Sequence, residues 1–146
     1  MVVNMKKSKI DLLVRAIIET SGKIMICRKK GEKYFFLPGG HVEFGESGEN
    51  ALKREIGEEL GLRITKCSLI GGSEHLFRED KKEYHEINLV FRAETDRIRT
   101  ESREDHLEFF LLNKKQLAKN NFMPKVLKVA ILKWFRDGKF FWASQI

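Results

Sequence analysis

Apolar positions fall into short runs with two different periods. Residues 10–18 (IDLLVRAII) are almost all apolar and rich in branched side chains, the pattern of a buried strand. Ser21-Gly22 marks a turn, and residues 23–28 (KIMICR) read as the hairpin partner of the first strand. Residues 34–37 form a short aromatic strand, stopped by Pro38-Gly39-Gly40, where two glycines let the backbone turn sharply and approach a ligand. The period then becomes helical over 47–60. Ser47 is placed to cap the first turn, Glu49 lies where the helix dipole favours negative charge, and Gly61 follows the last turn. Leu52, Ile56 and Leu60 recur every four residues and predict the buried stripe. Gly57 within this helix costs about 1 kcal/mol relative to alanine, which points to a close approach by another element.

Strands resume at 64–70 and 73–78, on either side of Gly71-Gly72, followed by a charged turn at 79–83 and strands at 84–93 and 107–112. One helical turn is expected at 114–119, and Pro124 opens a helix that runs over 126–135 until Asp137-Gly138. The aromatic segment 139–146 is either a last strand, packed on its own sheet, or a homodimer contact. This order predicts an α/β fold, a mixed sheet with helices on both faces, in a single domain over residues 1–146.

Composition excludes several classes. With 42% hydrophobic and 34% charged residues and two prolines, the chain is neither disordered nor collagen-like. No apolar run approaches the ~18 residues of a membrane span, and the lysines of residues 1–11 precede no apolar stretch with a cleavage site, so no signal peptide is expected. Cys27 and Cys67 are too few for a disulfide framework, which suits a reducing cytoplasm.

Charge is distributed unevenly. Between residues 39 and 62 six glutamates face Lys53 and Arg54, a local net charge of −4, which leaves +11 for the rest of a chain whose formal total is +7. On the predicted helix Glu55, Glu58 and Glu59 stand at i, i+3 and i+4, and so share a surface about 100° from the leucine stripe. Three uncompensated carboxylates repel one another, and a hard divalent cation removes that cost. Arg54 can orient a neighbouring carboxylate, with Glu46 the best placed.

Residues 40–62 read GHVEFGESGENALKREIGEELGL. This stretch resembles the signature of the Nudix (MutT-like) hydrolases at every defined position: Gly40, Glu46, Arg54, Glu55, Ile56, Glu58, Glu59, Gly61 and Leu62. Phe35-x-x-Pro38-Gly39-Gly40 stands where that family usually has Trp-x-x-Pro-Gly-Gly. The resemblance implies a Nudix-type α/β/α sandwich with a mixed β-sheet. It also implies Mg²⁺- or Mn²⁺-dependent hydrolysis of a nucleoside diphosphate linked to another moiety, a (deoxy)nucleoside triphosphate among the candidates. On this basis Gly39, Glu55, Glu58, Glu59 and Glu108 are assigned to metal binding, and Glu55, Arg54 and Glu46 to catalysis. The general base is open among Glu55, Glu104 and Glu108.

Substrate contacts are assigned to Arg28, Gly40 and His41, and Arg15 is a second strand arginine in the basic part of the chain. Phe77, Tyr84 and Phe122 either stack on a base or belong to the core. His85 and His106 have no partner at zinc-ligand spacing. No subfamily mark names the substrate. Two other readings stand beside hydrolysis of a small nucleotide. A nucleotide-sensing module of the same fold would be expected to have lost box glutamates. An RNA 5′-end pyrophosphohydrolase would use the basic remainder, but no arginine-rich strip interleaved with aromatics is present, so no nucleic-acid or membrane partner is expected.

Overall fold

The computed structural model describes residues 9–146; the reading that excludes a signal peptide falls mostly on residues 1–8 and lies outside the described residues. Strands β1 (Ile10–Ile17), β4 (Gly39–His41), β5 (Ile64–Glu79), β6 (Lys82–Thr95) and β8 (Phe141–Gln145) make one sheet in the order β4-β1-β6-β5-β8. Strands β2 (Glu19–Thr20), β3 (Lys23–Lys29) and β7 (Leu107–Asn113) make a second. The larger sheet is mixed: β1 runs parallel to β6 and antiparallel to β4, while β5 is antiparallel to β6 and parallel to β8.

Alternation along β1 explains the layering. Val14 and Ala16 point into an apolar cluster with Leu52, Ile56 and Leu60 of helix α1 (Gly48–Leu60). Ile17, of opposite parity, joins a second cluster with Leu117 of α2 (Lys114–Lys119) and Leu127 and Ile131 of α3 (Lys125–Asp137). Helices therefore cover both faces, as an α/β/α sandwich requires. Helix α1 starts and stops where its capping residues dictate: the Ser47 hydroxyl accepts from the Asn50 N–H at 3.1 Å, and Gly61 closes the last turn at φ 65°.

Four local expectations change. The hairpin partner of β3 is β2, not β1. Ser21 and Gly22 both take positive φ and close a tight turn over Glu19–Thr20 only, while β1, apolar on both faces, fills the interior of the other sheet between β4 and β6. The two strands expected around Gly71-Gly72 are one strand, β5, with irregularities between Ile64 and Lys66 and between Leu69 and Gly71. The glycines mark clearance rather than a break. A Cβ on Gly71 would lie 2.6 Å from the Phe141 carbonyl, and one on Gly72 2.8 Å from the Trp142 ring, so their absence lets β8 pair with β5. Residues 34–37 make only isolated bridges, Cys27 to Phe36 and Phe35 to Phe122. Apart from its chain neighbours and the helix's own backbone, no described atom lies within 4 Å of a Cβ built on Gly57, so no other element packs closely there.

The aromatic C-terminus joins its own sheet through β8; Phe141 packs against the α3 cluster, and Phe140 and Trp142 keep exposed surface. Among the described residues no helix is long and apolar enough to cross a membrane.

Candidate active site

Strand β4 is three residues long and contains the double glycine. Gly39 has φ 148° and lies so close to β1 that a Cβ would overlap the Val14 carbonyl. Gly40 faces α1, where a Cβ would overlap the Glu55 carboxyl group. The two glycines thus let β4 sit between β1 and the acidic side of α1. Leu52, Ile56 and Leu60 anchor that helix by its buried stripe.

Arg54 organises the rim. Its guanidinium donates Nε to Glu46 Oε2 at 2.8 Å and Nη2 to Glu46 Oε1 at 2.9 Å, a bidentate grip. It also donates Nη1 to Glu55 Oε1 at 2.9 Å and Nη2 to the His41 carbonyl at 2.9 Å. Glu58, half exposed, lies 3.5 Å from Arg54 Nη1. The Arg54 hydrogen bonds, with a contribution from the Glu43 N–H, hold the Glu46 carboxyl down at about 2.

Glu59 has a different environment. It is 8% exposed, and its Oε2 is buried with no hydrogen-bond partner among the described residues. Burial first and the charge of Glu55 next push its carboxyl up to about 8, against the opposing pull of Arg15 and the Gly39 N–H. Glu104 also raises it, which places that side chain within the field of the box. The segment carrying Glu104 is stapled to the end of α1, since Arg103 N–H donates to the Glu59 carbonyl at 2.7 Å. Ser102 Oγ accepts from the Glu104 N–H at 3.0 Å.

Glu108 belongs to another group. It faces Arg28 across β3 and β7 and pairs with it at 3.1 Å, and the Arg28 guanidinium lies over the rings of Phe35 (5.2 Å) and Phe110 (5.0 Å). Arg28 and Glu108 engage each other, and neither they nor the box glutamates are among the residues that line the cavity beside β4. Among the described residues no three acidic, histidine or cysteine side chains converge as a ready-made metal cage: Glu55 and Glu59 come together, and Glu58 turns to Arg54.

A cavity of about 480 Å³ opens beside β4, within the usual range for small-molecule sites. Its sheet wall carries Asp11 and Arg15 of β1, Tyr84, Glu86 and Asn88 of β6, and His75 and Phe77 of β5; Tyr34, Phe36, His41 and the start of α3 complete it. The Arg15 guanidinium donates to Asn88 Oδ1 at 3.2 Å and to the Leu37 carbonyl at 3.1 Å. Its charge acts on Glu86 on one side and on Glu59 on the other, so Arg15 stands where the cavity meets the box. His41 is on the rim, with its side chain 63% exposed. Phe77 and Tyr84 stack on the cavity wall, whereas Phe122 is core. Glu86, His75 and Asn88 escaped the sequence reading. Their signal was present in the polar residues recurring at every second position of β6 (Tyr84, Glu86, Asn88), which share one face of the strand.

A cavity that meets an acidic helix across a double-glycine strand, in an α/β/α sandwich, is the layout of a Nudix-type protein. The NUDIX domain model matches residues 9–134, and the chain belongs to that family. Nudix hydrolases act on phosphoric anhydride bonds. The chain is 37% identical over 105 residues to the ADP-ribose pyrophosphatase of Methanocaldococcus jannaschii, a match covering 68% of this chain and 61% of that protein. It is 30% identical over 77 residues to the 8-oxo-dGTP diphosphatase of Proteus vulgaris, covering 50% of this chain and 69% of the relative. Among solved structures, the MutT protein of Bacillus halodurans shares the fold with a TM-score of 0.72 at 19% identity, covering 92% of this chain and 88% of that one.

Proposed function

We propose that the chain is a divalent-cation-dependent pyrophosphohydrolase, working with Mg²⁺ and accepting Mn²⁺, that cleaves a nucleoside diphosphate linked to another moiety by attack of water on phosphorus. The observation that carries this reading is Glu59, a buried carboxylate with one oxygen unpartnered among the described residues and a second carboxylate, Glu55, beside it. Glu55 already has Arg54 against it, whereas a buried carboxylate such as Glu59 persists as an anion only when positive charge lies against it too.

Glu55, Glu59 and the Gly39 carbonyl would hold the ion, with Glu58 at the rim. The side chains close only part of a shell, which suits Mg²⁺, since it keeps several waters and takes phosphate oxygens from its substrate. The bound ion supplies neutralisation of the diphosphate and a more acidic attacking water. Arg54 fixes Glu55 and ties it to Glu46 and to the backbone of β4. Glu55 or Glu104 takes the water's proton; Glu108 is less suited, because Arg28 already neutralises it.

The nucleoside enters the aromatic cavity, with Arg15 and His41 near the diphosphate. The relatives' names, a pyrophosphatase and a diphosphatase, support the reaction class and differ in the molecule acted on. Retention of Glu55, Glu58 and Glu59 favours turnover over a sensing role. Two free cysteines fit a cytoplasmic setting.

The test is a panel of nucleoside triphosphates, ADP-ribose, dinucleoside polyphosphates and nucleotide sugars, assayed with Mg²⁺, Mn²⁺ and EDTA in ¹⁸O-labelled water. Expected are a metal-dependent product carrying one labelled phosphoryl oxygen, silence in EDTA, and loss of at least about a hundredfold in Glu59→Gln. Full activity of a folded Glu59→Gln variant, or turnover of no member of the panel, would overturn the reading.

A further inference from the structure

Glu86 is a half-buried cavity carboxylate for which the fold supplies no Lys or Arg partner among the described residues. Three polar neighbours on the same sheet face, Asn88, Arg15 and Asp11, are engaged. Asn88 accepts from Arg15 at 3.2 Å and donates to Ser73 Oγ at 3.3 Å. Arg15 holds Leu37 as well, and Asp11 has Lys9 at 3.6 Å and His41 at 3.7 Å. Glu86 accepts no hydrogen bond from any described residue, and no described Lys or Arg nitrogen lies within 4.0 Å of it, although its side chain is only 19% exposed. The nearest ionisable partner is His75 Nε2 at 3.4 Å. Burial lowers the pKa of that ring, its Nδ1 is itself buried without a partner among the described residues, and its Nε2 faces one Glu86 oxygen without making a hydrogen bond, which leaves the other oxygen open to the cavity. A carboxylate taken out of water without a donor is costly in the empty protein and becomes favourable when a ligand brings N–H groups to it.

The surroundings select the shape of that ligand. Glu86 stands opposite His75 in the β5–β6 register, next to a ladder of parallel rings. His75 stacks on Phe77 at 5.3 Å and 15°, and Phe77 on Tyr84 at 4.7 Å and 8°. A flat heteroaromatic ring fits such a wall better than a sugar does.

We infer that the cavity recognises a nucleobase with two adjacent N–H donors on one edge, the 2-amino-6-oxopurine edge of guanine, through a bidentate hydrogen bond to Glu86. The inference rests on the proposed nucleotide site and names its base. The two oxygens of a carboxylate face the N1–H and the N2 amino group of guanine in parallel, as they face the two N–H groups of an arginine fork. Adenine and cytosine offer one donor beside an acceptor on the matching edge, and uracil and thymine flank a single N–H with two carbonyls. Each of these turns a lone pair toward the anion.

The test is calorimetric titration of the full chain with GMP, IMP and AMP in metal-free buffer. IMP is guanine's counterpart without the 2-amino group. GMP is expected to bind about ten- to a hundredfold more tightly than IMP, the worth of one hydrogen bond to a charged group, and AMP no more tightly than IMP. Glu86→Gln should bring GMP close to the level of IMP, with a smaller loss for IMP, whose N1–H still reaches the remaining oxygen, and Glu86→Asp serves as a second variant if the first fails to fold. Equal affinity for GMP and IMP in the unmodified protein, no GMP binding at millimolar concentration, or an equal loss for all three ligands in Glu86→Gln would each overturn the inference; the last would assign Glu86 to the ribose or to the fold. Selective GMP binding without cleavage of any diphosphate would remove the proposed reaction and keep this base assignment. Cleavage indifferent to the base would do the reverse.

Discussion

Arg54 and Glu46 meet through two parallel hydrogen bonds, at 2.8 and 2.9 Å, that join the middle of α1 to the loop before it. The same guanidinium bonds Glu55 at 2.9 Å and the His41 carbonyl at 2.9 Å, so one cation sets the position of the Glu55 carboxylate relative to β4. The pair is a positioning device, with geometry as its product.

Glu46→Gln keeps the size of the side chain and removes the charge that holds Arg54. We expect kcat to fall by about a hundredfold with KM changing much less, because Glu55 loses its fixed orientation while the cavity is untouched. Steady-state kinetics on the substrate found in the panel would check this; an unchanged kcat would show that Arg54 holds Glu55 without help.

Metal affinity should depend on pH through Glu59. Its carboxyl is raised from the ordinary 4.5 to about 8 in the metal-free fold, so the folded chain keeps a proton that the unfolded chain releases. The resulting stabilisation is complete below pH 4.5 and is lost as pH rises through about 8. Mg²⁺ must displace that proton. Its affinity should therefore rise between pH 6 and 8, by up to about tenfold per unit, and level off above. Calorimetry in buffers of different ionisation enthalpy should show up to one proton released per ion bound at pH 7, and none in Glu59→Gln.

Glu104 and Glu108 should separate in their effects. Glu104 lies in the field of Glu59, whereas Glu108 is neutralised by Arg28. Glu104→Gln is expected to lower kcat by about a hundredfold, the scale of a general base. Glu108→Gln should stay within a factor of about three, since a part-exposed ion pair contributes little. The opposite ranking would return the base to β7.

Gly57→Ala should stabilise the protein. Beyond its chain neighbours and the helix's own backbone, no described atom lies within 4 Å of the added methyl group, and Gly57 sits in the interior of α1. The expected gain is about 0.5–1 kcal/mol from helix propensity and a less flexible unfolded chain, with activity unchanged. Thermal and denaturant melts would show it, and a loss of stability would reveal a contact that forms around the helix in solution.

Much of the fold is legible before any coordinates are consulted. The boundaries of α1 follow from Ser47, Gly61 and the Leu52-Ile56-Leu60 stripe, because capping and helical periodicity act over a few residues. The turn at Ser21-Gly22 follows from local chemistry in the same way. Gly71 and Gly72 show the limit. In sequence they resemble a break, yet their role is to admit β8, whose residues lie about seventy positions away along the chain.

The linear order of residues determined by itself the acidic helix and the double glycine, since both occupy one stretch from Gly39 to Leu62 and the glutamates share a surface through helical spacing. Tertiary structure alone decided which distant groups share that space. It drew Glu104 toward Glu59, paired Glu108 with Arg28, and set Arg15, His75 and Glu86 on one wall. The physical reason is sheet register. A side chain's face is fixed by its parity along its own strand, but its neighbours are fixed by which strand pairs alongside and at what offset, and no short-range preference encodes that.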